Sequence, residues 1–171
     1  MVDEQVHRAY VALGSNLGDR AAALEAALRA LDETERIALE VVSSFYETAP
    51  MYVSDQPVFL NACAEVSTSR TPESMLDELM RIERELGRVR DVDKGPRTID
   101  LDLIAFGGEV RATDTLTLPH PGLPERAFVL VPLREIAPQW VHPVLGASVA
   151  ELDDAHGHHD EVRRVVVRRG A

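Results

Sequence analysis

The run Gly95-Pro96-Arg97-Thr98-Ile99-Asp100-Leu101-Asp102-Leu103 constrains the fold of this chain more than any other stretch. Successive side chains of a strand point to opposite faces, so Ile99, Leu101 and Leu103 share one face while Asp100 and Asp102 share the other. The aliphatic face joins a core and leaves the acidic face open. Two carboxylates about 6.6 to 7 Å apart along one strand repel each other unless cations lie between them, and such hard oxygen ligands suit Mg²⁺ carrying a polyphosphate. Any half-buried strand with solvated ion pairs shows the same alternation, so the neighbouring residues have to decide. Upstream lies Gly87-Arg88-Val89-Arg90-Asp91-Val92-Asp93-Lys94-Gly95-Pro96-Arg97, a glycine-bounded loop holding three arginines and a lysine in a chain of formal net charge −11. Cations gather where a polyphosphate would sit, which points to phosphoryl transfer.

At 171 residues, 45% hydrophobic and 27% charged, the chain fits one globular domain, residues 1–171, with a C-terminal extension from about residue 150. The acidic balance, with a pI near 4.9, argues against nucleic acid or an anionic membrane as partner, although a local basic loop can still hold a small anion. The single cysteine, Cys63, has no internal disulfide partner, and Met1-Val2-Asp3-Glu4-Gln5 lacks a charged-then-apolar leader. No apolar run approaches membrane-spanning length. We expect a cytoplasmic monomer.

Strands and helices alternate along the chain. Tyr10 to Leu13 reads as a strand ending at Gly14-Ser15-Asn16-Leu17-Gly18, followed by a helix capped by Asp19 with Leu24, Leu28 and Leu31 on one stripe. Gly14 and Gly18 lack P-loop spacing, and no Lys-Ser/Thr follows them. A second strand is expected from Ile37 to Tyr46 and a third from Phe59 to Val66. In the third, Leu60, Ala62, Ala64 and Val66 form the core face, while Phe59 and Asn61 could stack on a flat heterocycle and read its edge, or simply pack under a loop and cap a turn. Thr71-Pro72 starts a helix that runs through Leu79, Ile82 and Leu86 to a stop at Gly87. Phe106-Gly107-Gly108-Glu109-Val110 reads as a hairpin turn into another strand. Beyond the proline-rich loop Leu118 to Pro124, a helix from Glu125 to Ile136 is expected to kink at Pro132. His120, Arg126 and Phe128 could face a ligand, although each has a plainer role as loop hydrogen bonder, ion-pair partner or core residue. His156-Gly157-His158-His159 reads as a solvated loop, and Val165 to Val167 as a last strand.

Tyr10-Val11-Ala12-Leu13-Gly14-Ser15-Asn16-Leu17-Gly18, Phe59-Leu60-Asn61, Gly87-Arg88-Val89-Arg90 and above all Gly95-Pro96-Arg97-Thr98-Ile99-Asp100-Leu101-Asp102 resemble the 6-hydroxymethyl-7,8-dihydropterin pyrophosphokinase family of folate biosynthesis, in the same order over about residues 8 to 138. With its end near residue 171, the chain looks like the single-function form. The resemblance implies an α+β, ferredoxin-like sandwich: a mostly antiparallel sheet with helices packed on it. It also implies transfer of the diphosphate of ATP to the pterin hydroxymethyl group, with AMP as the other product.

Carried onto this sequence, the resemblance makes Asp100 and Asp102 the ligands of two Mg²⁺ ions. Arg88 and Arg97 would bind phosphates, Arg90 would lie nearby, and Glu83, His120 and Arg126 would contact the nucleotide. Arg88, Arg97, Asp100 and Asp102 form the catalytic set, and Asp100 would also orient or deprotonate the attacking hydroxyl. The pterin would lie between Phe59 and Phe128, its edge read by Asn61 and the backbone around Thr48, Pro50 and Met51. Phe59, Met80, Lys94 and Pro121 replace a tyrosine, a glutamine, a tryptophan and a tyrosine of the family pattern. Strand parity adds a condition: the strand must begin near Thr98 if Arg97 is to share the Asp100 side. A Mg²⁺-dependent nucleotide hydrolase, an ADP-forming kinase and a non-catalytic ferredoxin-like ligand-binding module use compatible residues and remain open at this point.

Overall fold

The computed structural model describes residues 5–48, 58–87, 99–157 and 162–165. The elements run β1 (His7–Ser15), α1 (Arg20–Glu33), β2 (Ile37–Val42), β3 (Phe45–Thr48), β4 (Phe59–Thr68), α2 (Pro72–Glu85), β5 (Asp100–Phe106), β6 (Arg111–Ala112), β7 (Thr117–Leu118), α3 (Ala127–Ile136), α4 (Val149–His156) and β8 (Val162–Val165). Among the described residues, one six-stranded sheet has the order β5-β1-β4-β3-β8, with β2 also paired to β4.

Two β-α-β units interleave to build this sheet. The first places β1 and the β2–β3 segment on either side of β4, and the second places β4 and β5 on either side of β1, so the described pairings are antiparallel. Helices α1 and α2 cover one face. Their apolar stripes, Leu24, Leu28 and Leu31 on α1 and Met75, Leu79 and Ile82 on α2, meet Val11, Leu13, Leu60, Ala62, Leu101 and Leu103 in the main core. Helices α3 and α4 cover part of the other face, where Leu130, Leu133 and Val149 pack on Tyr10, Cys63 and Ile104. The ferredoxin-like sandwich expected from sequence is thus present, with a third layer on the side that carries the acidic pair.

Local chemistry explains the element ends. Asp19 Oδ1 accepts from Ala22 N at 3.1 Å and Thr71 Oγ1 accepts from Ser74 N at 3.1 Å, each satisfying an amide left unpaired in a first helical turn. The single strand expected over Ile37–Tyr46 is two, β2 and β3, broken at Ser43-Ser44, and the second half continues to Thr48. Serine side chains replace the ladder at the break: Cys63 N donates to Ser43 Oγ at 2.9 Å, and that hydroxyl donates to Ser44 O at 2.7 Å. Glu135 of α3 accepts there as well, from Ser44 N at 3.0 Å and from the Tyr46 hydroxyl at 2.5 Å, fastening α3 to the sheet.

The expected hairpin after Phe106 is also corrected. Glu109 N closes a turn on Phe106 O at 2.9 Å, but β6 pairs with β7 and not with β5. The helix expected from Glu125 begins at Ala127. A 3₁₀ turn spans Leu123–Glu125, and Arg126 is extended at φ −116° before α3 runs through Pro132 to Ile136. His156 ends α4, with its Nε2 3.0 Å from Glu125 O, whereas His158 and His159 lie outside the described residues. The last strand among the described residues, β8, covers Val162–Val165 and pairs with β3, while Val166 and Val167, expected in the same strand, lie outside the described residues. No helix among the described residues is long and apolar enough to cross a membrane.

Candidate active site

The site is a row of side chains crossing the sheet on the α3 side. Asp100 stands opposite Gly14, Gly14 opposite Asn61, and Asn61 opposite Tyr46. The adjacent row runs Asp102, Ala12, Cys63. Because side chains alternate, both carboxylates project on this face while Leu101 and Leu103 enter the main core, as the alternation in the sequence requires. The space above the rows is a cavity of about 200 Å³ lined by Ala12, Leu13, Gly14, Thr48, Phe59, Asn61, Asp100, Asp102, Arg126 and Phe128.

Small residues create this space. A Cβ on Gly14 would come within 2.9 Å of Asn61 Oδ1 and 3.8 Å of Phe59 Cδ1, so only glycine lets Asn61 lie across the floor. Ala12 keeps the next row low. Asn61 is buried, and its Nδ2 donates to Thr48 Oγ1 at 2.6 Å, which fixes the amide and turns Oδ1 over Gly14. Arg20, at the start of α1, donates to Val58 O at 2.9 Å and pairs with Glu47 at 2.9 Å. It thereby clamps the strand ends that carry Thr48 and Phe59.

Arg126 and Phe128 form the wall on the α3 side. The guanidinium carbon lies 5.8 Å from the Phe128 ring centroid, within range of a cation–π contact. His120 sits beside this wall outside the cavity lining. Its backbone N donates to Ile104 O at 2.8 Å, and its Nδ1 accepts from Gly122 N at 3.0 Å. Burial lowers its pKa, with the nearby Arg126 charge adding to the effect and Asp100 opposing it. Burial thus favours the neutral imidazole.

Sequence reasoning named Asp100, Asp102, Phe59, Asn61, Thr48, Arg126 and Phe128, and the fold brings these together around one cavity. Thr48 contributes its side-chain hydroxyl through Asn61, where its backbone was expected. Glu83 does not line the cavity: it is 5% exposed, and its Oε2 accepts from Leu101 N at 2.9 Å, bracing the strand between the two aspartates. Arg88, Arg90, Arg97, Pro50, Met51 and Lys94 lie outside the described residues, as does Thr98, while β5 begins at Asp100. Sequence reasoning missed Ala12 and Gly14 as the floor. The available signal was a pair of small residues two apart in a strand otherwise built from Tyr10, Val11 and Leu13.

The donor set suits Mg²⁺. Among the described residues no group of three or more His, Cys, Asp or Glu side chains could hold an ion alone, whereas two carboxylates on one strand face match an ion that arrives with phosphate ligands of its own. The fold is thus an α+β sandwich whose open face sets an acidic pair beside an aromatic-walled, amide-floored cavity, the class of domain with a small-molecule site on its sheet.

Comparison with known proteins narrows the class. Residues 10–138 match the model of the family described as 7,8-dihydro-6-hydroxymethylpterin-pyrophosphokinase (HPPK). The chain is 47% identical over 131 residues to the 2-amino-4-hydroxy-6-hydroxymethyldihydropteridine pyrophosphokinase of Bacillus subtilis, covering 77% of this chain and 78% of that one. It is 45% identical over 153 residues to the folic acid synthesis protein fol1 of Pneumocystis carinii, covering 88% of this chain and spanning only 20% of the fungal protein's length. A crystal structure of Plasmodium falciparum HPPK-DHPS superposes with a TM-score of 0.77 at 15% identity, over 96% of this chain and 50% of that one, a likeness of fold. The chain belongs to the 7,8-dihydro-6-hydroxymethylpterin-pyrophosphokinase family.

Proposed function

We propose that this protein transfers the diphosphate of ATP to the hydroxymethyl group of 6-hydroxymethyl-7,8-dihydropterin, giving the pterin diphosphate and AMP. The observation that carries this is the register Asp100–Gly14–Asn61, which sets a carboxylate beside a floor fit for a flat ring. A cavity of about 200 Å³ suits one fused two-ring heterocycle and leaves a triphosphate outside it, over the acidic pair.

In this assignment Phe59 and Phe128 stack on the pterin, and Asn61, oriented by Thr48, reads its hydrogen-bonding edge together with the backbone near Pro50 and Met51. The hydroxymethyl oxygen bonds to the β-phosphorus as the bond from that phosphorus to the α-phosphate oxygen breaks. AMP leaves with the electron pair, and the hydroxyl proton passes to a base. Asp100, closest in register to the ring floor, orients that hydroxyl and is the base we assign. Asp100 and Asp102 would hold two Mg²⁺ ions, which supply charge neutralisation at the phosphate oxygens. Arg88, Arg90 and Arg97 bind phosphates, His120 and Arg126 contact the nucleotide from the α3 side, and Glu83 acts on that side through the strand it braces.

We further read residues 1–171 as one domain whose C-terminal extension joins it through β8, and the protein as a cytoplasmic monomer in which the buried Cys63 stays reduced. Incubation with ATP, Mg²⁺ and the reduced pterin is expected to yield AMP and pterin diphosphate in equal amounts. ADP or free phosphate in their place would overturn the assignment.

A further inference from the structure

Gly122 occupies an ordinary backbone conformation, φ −82° and ψ −5°, that any L-residue adopts, so no demand of the turn explains a glycine there. Its surroundings do. A Cβ added to Gly122 would stand 2.5 Å from Arg126 Nε, 2.8 Å from Cζ and 3.0 Å from Cδ. The arginine side chain lies directly against the bare Cα of this residue, with the far end of its guanidinium group within reach of the Phe128 ring and the cavity. The loop is held in place independently: Gly122 N donates to His120 Nδ1 at 3.0 Å, and Glu125 N donates to Gly122 O at 3.1 Å.

We propose that Gly122 is a positioning residue for the reaction: the space left by its missing side chain is the slot that seats Arg126 against Phe128, so that the cavity wall is already formed when ligand arrives. The proposal rests on the functional assignment above. Arginine loses many rotamers on being ordered, and a slot that orders it beforehand removes that cost from binding. Gly122→Ala is a clean perturbation. Alanine satisfies the backbone and keeps both loop hydrogen bonds, and the clashing atoms belong to a flexible side chain that moves away.

Two measurements on the full chain test this. In the ligand-free protein, the Arg126 Nε–H NMR signal, identified by its loss in Arg126→Lys and its ring-current shift removed in Phe128→Leu, is expected to move in Gly122→Ala with the melting temperature unchanged. An unmoved signal overturns the proposal without reference to any substrate. In calorimetry, Gly122→Ala is expected to weaken binding of the reduced pterin or of a nonhydrolysable ATP analogue about tenfold, and to add nothing in the Arg126→Ala background. An equal loss with and without Arg126 would mean that Gly122 acts otherwise and would also overturn it. Failure of the unsubstituted protein to bind the pterin would instead sink the functional assignment, leaving the NMR result to decide the role of Gly122.

Discussion

Asn61 Nδ2 donates to Thr48 Oγ1 at 2.6 Å across the β3–β4 edge, and this single bond fixes which atom of the amide faces the cavity. Both residues are buried. Thr48→Val keeps the shape and removes the acceptor, leaving a buried N–H without that partner at a cost of about 1–3 kcal/mol. The expected melting-temperature loss is about 2–12 °C, together with weaker pterin binding, read by calorimetry. A variant as stable and as tight-binding as the parent would show that the bond does not orient the amide.

Asp102 stands opposite Ala12 on the open face, across the sheet from the main core. Asp102→Ala is expected to lower the rate of AMP formation by at least about a hundredfold, as loss of a group that stabilises transition-state charge does. Circular dichroism and the melting temperature should stay close to those of the parent. Retained turnover would remove the pair from the metal-binding role assigned to it.

Gly14→Ala pushes a methyl group toward Asn61 Oδ1, 2.9 Å from the new Cβ. The amide must rise into the cavity or break its bond to Thr48. Pterin affinity is expected to fall about tenfold, equivalent to about 1.4 kcal/mol, with ATP-analogue affinity little changed. A loss confined to the nucleotide would place the ring elsewhere.

His142 tests the pH dependence away from the cavity. It is 6% exposed, and its Nδ1 accepts from Val144 N at 3.2 Å and Leu145 N at 3.1 Å. Burial lowers its pKa, so the unfolded chain takes up the proton first on acidification. Its contribution to stability is intact above the ordinary histidine range of about 6.5 and is lost as the pH falls below it. His142→Asn retains an acceptor near the Nδ1 position without titrating. Denaturant unfolding between pH 7 and 5 should show a shallower loss of stability in this variant than in the parent; equal slopes would exclude His142 as a contributor.

Much of this was legible in the chain itself. The alternation Ile99-Asp100-Leu101-Asp102-Leu103 told which face each side chain takes, and Leu60, Ala62, Ala64 and Val66 did the same for β4, because a strand's two-residue period is a local property of the backbone. Asp19 and Thr71 marked helix starts for an equally local reason: each cap satisfies an amide three residues away. The break at Ser43-Ser44 was not legible, since it depends on Cys63 and Glu135 meeting those serines from β4 and α3.

The sequence by itself determined that a carboxylate pair, an aromatic and an amide exist on open strand faces, with a basic loop just ahead of the pair. Only the tertiary structure decided that they form one site. Strand register sets Asp100, Gly14 and Asn61 in line, and register follows from packing both sheet faces at once, which no local period encodes. Gly122 divides the same way: its contact with Arg126 spans only four residues, but the cavity that this arginine walls exists only with β1, β4 and β5 in register.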